Sequence, residues 1–252
     1  FDTVDASGNT GGIVVTDVGA VETVYTLGSG DDKFTTAAEG FATTDKFAVS
    51  AGAGTDTLVV ASSTDLDATT EASRYTGFET LNVSASQDAS LVSGITSVNQ
   101  ALSTSAVLSG VSASLAEKIT LTGNQVTAYT VTLQNATGTS DVVTLDLKSG
   151  TSTSNVDVAA LSVIGVETLN VIGSTGTAGT DSDIDFAVNG ADVLTTVNLS
   201  GTADMTFAAG NTDKKIALTS TSTGAITATG AFVAGSTITT AAGKDEVTLS
   251  SN

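Results

Sequence analysis

Two short stretches combine the residue types needed to hold a hard cation. They are Gly28-Ser29-Gly30-Asp31-Asp32-Lys33-Phe34 and Gly52-Ala53-Gly54-Thr55-Asp56-Thr57-Leu58. Both read G-x-G-x-D-x-U, where U is a large apolar residue. Calcium takes several oxygen ligands. Gly28, Gly30, Gly52 and Gly54 leave the backbone free to turn and present carbonyls. Asp32 and Asp56 supply carboxylates, with Asp31 as an extra one beside the first turn, and the apolar residue anchors each turn in a core. Ala242-Gly243-Lys244-Asp245-Glu246-Val247 repeats the pattern more weakly through Gly243 and Asp245. Asp181, Asp183 and Asp185 are spaced by two, with Asp192 at the twelfth position as in an EF-hand loop. Phe186, however, stands where that loop needs glycine, and an exposed strand explains the spacing equally well.

Other chemistry has little to work with. The 252-residue chain has no Cys, His, Pro or Trp, which excludes disulfides and zinc-thiolate sites and removes the commonest general base. No catalytic site is expected, and the reading is of a non-enzyme. The net charge is −19, with Lys+Arg 8 against Asp+Glu 27. Nucleic acid is excluded as a partner, because phosphate binding needs basic patches. Self-repulsion at this charge destabilises a compact state. Bound Ca²⁺ would relieve it, although acidity also serves solubility. The paired cations Lys214 and Lys215 read as a solvated turn or a contact to an acidic neighbour. No apolar run approaches the ~20 residues of a membrane span.

The elements that must position the turns are strands. A second recurring element, U-E-T-U, appears as Val21-Glu22-Thr23-Val24, Gly77-Phe78-Glu79-Thr80-Leu81-Asn82-Val83 and Gly165-Val166-Glu167-Thr168-Leu169-Asn170-Val171. Val193-Leu194-Thr195-Thr196-Val197-Asn198-Leu199 is a degenerate copy. Each alternates apolar and polar residues, a strand period. Its Glu is expected to cap the start of a strand or to pair with equivalent residues on neighbouring turns. Further strands are expected at 57–60, 119–122, 130–133, 142–147, 205–207, 216–218, 226–229 and 237–240. A helix is expected over 65–75, capped by Asp65, and further helical turns within 90–102 and 112–117. Ser and Thr make up roughly 30% of the chain and aromatics 4%. Short strands, repeats and glycine-rich turns predict an all-β fold over residues 1–252: a parallel β-helix or solenoid with irregular long rungs and one or two short helices, softly divided near 100–115. Tandem β-sandwiches are the alternative. Phe1-Asp2-Thr3-Val4 reads as the tail of a further D-x-U unit, so a fragment of a longer chain is expected.

G-x-G-x-D-x-U turns interspersed with E-T-L-N-V strands resemble the RTX-type surface-layer proteins and large repetitive surface proteins of Gram-negative bacteria. The resemblance implies type I secretion, an extracellular location at the cell surface and Ca²⁺ lodged in the turns, with Asp32 and Asp56 in the carboxylate position. It also implies calcium-dependent self-assembly with identical subunits, and anchoring to cell-surface polysaccharide through a region outside this chain. The leading double glycine is Leu27-Gly28 in one turn and Ala51-Gly52 in the other, so isolated calcium sites are expected in place of a regular row. A repetitive adhesin segment, or the repeat region of a secreted hydrolase or toxin, are the alternatives.

Overall fold

The computed structural model describes residues 2–19, 22–37, 41–42, 44–101, 104–123, 125–149, 156–175, 184–189, 192–210 and 214–249. They form two compact units, residues 1–100 and 101–252. Each is a parallel β-solenoid.

In the first unit the strands are β1 (Thr3–Asp5), β2 (Val14–Thr16), β3 (Val24–Thr26), β4 (Lys33–Thr35), β5 (Ala48–Ser50), β6 (Thr57–Val60), β7 (Tyr75–Thr76), β8 (Thr80–Val83), β9 (Gln87–Asp88) and β10 (Ser97–Ala101). Odd strands β1, β3, β5 and β7 pair in one sheet, and even strands β2, β4, β6, β8 and β10 in a second. The chain thus alternates between these sheets from β1 to β8, and within each sheet neighbouring strands run parallel. The second unit repeats this plan. Its strands are β11 (Ala106–Val111), β12 (Ile119–Thr122), β13 (Gln125–Leu133), β14 (Val142–Ser149), β15 (Val156–Val163), β16 (Thr168–Thr175), β17 (Ile184–Val188), β18 (Thr196–Gly201), β19 (Met205–Ala209), β20 (Ala217–Ser220), β21 (Ile226–Gly230), β22 (Thr237–Thr239) and β23 (Glu246–Leu249). The odd and even sets again form separate sheets. Every strand pairing described is parallel, which decides against β-sandwiches, whose sheets are antiparallel.

Alternation drives the core. In the first unit Phe34, Leu58, Leu81 and Val98 are register partners on successive rungs, and all are fully buried. Each such side chain contributes about 1.5–3 kcal/mol by leaving water. Val143, Leu169, Val197 and Leu218 form the matching file in the second unit. Outward positions carry polar files. Asn99 Nδ2 donates to Asn82 Oδ1 at 2.8 Å, Asn198 Nδ2 to Asn170 Oδ1 at 2.9 Å and Asn170 Nδ2 to Thr144 Oγ1 at 3.1 Å. Rungs are unequal: 17 residues separate Thr80 from its partner Ser97, and 28 separate Asn170 from Asn198.

Two short helices interrupt the strands, α1 (Thr69–Ala72) and α2 (Ala113–Ala116). α2 is capped by Ser112, whose hydroxyl accepts the Leu115 N–H at 3.3 Å. α1 is shorter than the expected 65–75 helix, and Asp65 does not cap it. The Asp65 carboxylate instead takes the Ser62 N–H and the Thr36 hydroxyl. Of the residues expected to pack inward, Leu66, Ala72 and Tyr75 are buried and Ala68 is only half-buried, so the periodicity located most of the core residues but not the helix length. The expected helical turn within 90–102 is replaced by β10, whose Val98 and Gln100 face inward.

Candidate metal centre

The two glycine–aspartate turns fall on successive rungs of the first unit, immediately before β4 and β6. They stack directly. A Cβ on Gly52 would overlap the Gly28 carbonyl, and one on Gly54 would overlap the Gly30 carbonyl. Gly52 and Gly54 also lie at φ +97° and +140°, where side chains are strained. The glycines are therefore required by close backbone approach between rungs.

The aspartates bind backbone. Asp32 is buried; its Oδ1 accepts the Ile13 N–H at 2.7 Å and its Oδ2 the Gly28 N–H at 3.0 Å. Asp56 is fully buried, and its Oδ1 accepts the Asp32 N–H at 2.7 Å. The exposed Asp31 accepts the Thr55 N–H at 2.8 Å. Glu79, from the E-T-L-N strand, continues the series by accepting the Asp56 N–H at 2.8 Å. Ile13, Asp32, Asp56 and Glu79 thus form one file. At each step the carboxylate on one rung caps the N–H of the residue preceding the strand on the rung before. A polar backbone group that the ladder leaves open is thereby satisfied.

The second unit uses the same device. Glu167 accepts the Asp141 N–H at 2.8 Å, and the Glu167 carbonyl accepts the Thr195 N–H at 3.0 Å. Thr195 occupies the Glu position of the degenerate copy. Asp245 accepts the Ile226 N–H at 3.0 Å, and Gly243 lies against the Gly224 carbonyl. Asp192 accepts the Gly165 N–H at 3.0 Å, closing a turn between rungs where the EF-hand spacing placed an ion ligand. Asp204 accepts the Ala225 N–H at 2.6 Å, a cap with no motif to announce it. Asp181 and Asp183 lie outside the described residues, and Asp185 takes its place in β17 opposite Asp157 and Thr206. Glu22, in the remaining copy, is exposed ahead of β3.

The fit to a cation differs between the two main aspartates. Both Asp32 oxygens already hold N–H donors, which leaves that carboxylate poorly disposed to a metal. Asp56 Oδ2 is buried without a hydrogen-bond partner. Burial chiefly, and then the neighbouring charges of Asp32, Glu79 and Asp31, hold the Asp56 carboxyl above the ordinary carboxylate range, while the Asp32 N–H acts in the opposite sense. A hard cation beside Asp56 Oδ2 would satisfy that oxygen and offset the surrounding charge. Among the described residues no three acidic side chains converge as a ready ligand set, so turn carbonyls and water would complete its shell.

No helix among the described residues is long and apolar enough to cross a membrane. Comparison with known proteins finds no matching family model, curated protein or solved structure.

Proposed function

We propose that this chain is a structural segment of a secreted bacterial surface-layer protein, a stack of rungs that Ca²⁺ rigidifies and that assembles with copies of itself at the surface of a Gram-negative cell. The observation that carries the reading is the rung-to-rung file of carboxylate caps. The motif residues that stand out in the sequence, Asp32, Asp56, Glu79, Glu167 and Asp245, all serve to join one rung to the next. Such chemistry suits an extended scaffold. Calcium at Asp56 would strengthen the same joint.

The test is electron microscopy and thermal melting of the chain with CaCl₂ and with chelator. Ordered arrays that form with calcium and dissolve with chelator are expected. A site filled at one hundred times Kd adds about 2.7 kcal/mol to folded stability. Particles that stay monomeric with calcium and adhere to foreign cells would favour the repetitive adhesin instead. A melting temperature indifferent to calcium would remove the ion from the proposal.

A further inference from the structure

The even strands of the first unit end on a second buried polar column, at the opposite end from the glycine turns. Asp17 follows β2 and Thr36 follows β4. The Thr16–Thr35 register and the Asp17 N–H on the Thr35 carbonyl at 2.9 Å place Asp17 one rung from Thr36, ~4.8 Å along the stack. Both residues are buried. The Thr36 hydroxyl donates to Asp65 Oδ2 and accepts the Ala61 N–H at 3.0 Å. Asp65 Oδ2 also accepts the Ser62 N–H at 3.0 Å, and Asp17 Oδ1 accepts the N–H groups of Val18 and Gly19 at 2.7 and 3.3 Å.

Two oxygens are left over. Asp17 Oδ2 and Asp65 Oδ1 have no hydrogen-bond partner, although the residues are only 5% and 1% exposed. The partners of the other two oxygens are neutral N–H and hydroxyl groups. A buried carboxylate without a counter-charge is costly. Two of them, one bonded to Thr36 and the other one rung from it, bring negative charge and oxygen donors to this end of the strands.

We propose that Asp17, Thr36 and Asp65 form a site for one divalent cation of the calcium class, held between the two unpartnered oxygens. The donors are all hard oxygens, which select Ca²⁺ or Mg²⁺ over zinc or copper. Backbone carbonyls and water complete the shell. The ion would tie the loop that follows β6 to the end of β2, two rungs below. This site is independent of the glycine turns, since Thr36 lies four residues beyond Asp32, about 13 Å along an extended strand.

Isothermal titration of the chain with CaCl₂ tests it, comparing the wild type with the double variant Asp17→Asn/Asp65→Asn and with Asp56→Asn. The double variant is expected to bind one equivalent fewer than the wild type, whereas Asp56→Asn retains that equivalent. Unchanged stoichiometry and affinity in the double variant, or no binding by the wild type, would overturn the site. Should the double variant not fold, anomalous diffraction from wild-type crystals soaked in TbCl₃ decides. A peak bridging Asp17 and Asp65 supports the site, and a map without one refutes it.

Discussion

Asp56 accepts the backbone N–H of Asp32 from a residue 24 positions earlier, one full rung away. A carboxylate placed by a glycine turn thereby sets the spacing of the rung before it. The bond is made by one oxygen of a fully buried group, and the second oxygen has no partner. Stability and charge are coupled at this position.

The coupling has a defined sign. The folded state holds the Asp56 proton more tightly than the unfolded chain, whose reference value is 3.8. The stabilising contribution of this residue is therefore full below that value and is lost as pH rises through the folded one. Asp56→Asn should be more stable relative to wild type near neutrality than near pH 3.8 in calcium-free buffer. Urea denaturation across that range measures the difference, and a pH-independent difference would contradict the assignment.

Glu79 and Glu167 perform the same capping in different units. Replacing either by Ala leaves an N–H of Asp56 or Asp141 without its acceptor, a loss of about 1–3 kcal/mol. Gln keeps an acceptor oxygen and should lose less than half as much. Equal losses for Ala and Gln at both positions would show that charge, and not the cap, is what matters.

Gly52→Ala combines a positive φ with overlap on the Gly28 carbonyl. The expected loss exceeds ~1 kcal/mol, the lower end of the strain range. Gly8→Ala provides the control, because nothing lies near its Cβ position. Thermal melts of the two variants should separate clearly.

The first unit concentrates aromatic packing. Tyr25 and Phe34 meet at 5.2 Å between ring centroids, and Phe34 also contacts Phe47 and Tyr75 at 6.3 and 6.0 Å. Phe34→Ala should cost about 3–5 kcal/mol. Hydrogen exchange should show the loosening among residues 24–83, and protection there equal to wild type would count against this core.

Much of the fold was legible because alternation and punctuation coincide. β6 and β12 match the expected 57–60 and 119–122, each a clean inward–outward pattern, with Asp56 ahead of β6 and Gly123 after β12. The capping role of Glu79 was legible from its place just ahead of Thr80-Leu81-Asn82-Val83. The acceptor–donor pairings were not, because they depend on rung lengths that loops set and local pattern does not encode. Asp65 illustrates the difficulty: it stands where a helix cap would stand, but Thr36, 29 residues earlier, claims its carboxylate. Asp17 carried no signal at all, since nothing in Val14-Val15-Thr16-Asp17 marks it as facing inward. Gln100 carried no signal either: it is a polar residue buried inside a strand, with its amide Nε2 donating to the Ala85 carbonyl at 3.0 Å.

The unequal rungs have a mechanical meaning. A pull on the chain terminus loads the outermost strand of a parallel stack first, so rungs detach one after another and do not yield together. The step released differs with each rung. Twenty-eight residues, the interval from Asn170 to Asn198, free roughly 95 Å of contour at ~3.4 Å per residue. Seventeen, from Thr80 to Ser97, free roughly 58 Å by the same measure. The extension trace of such a stack would therefore be a series of unequal steps, each set by the length of its own rung.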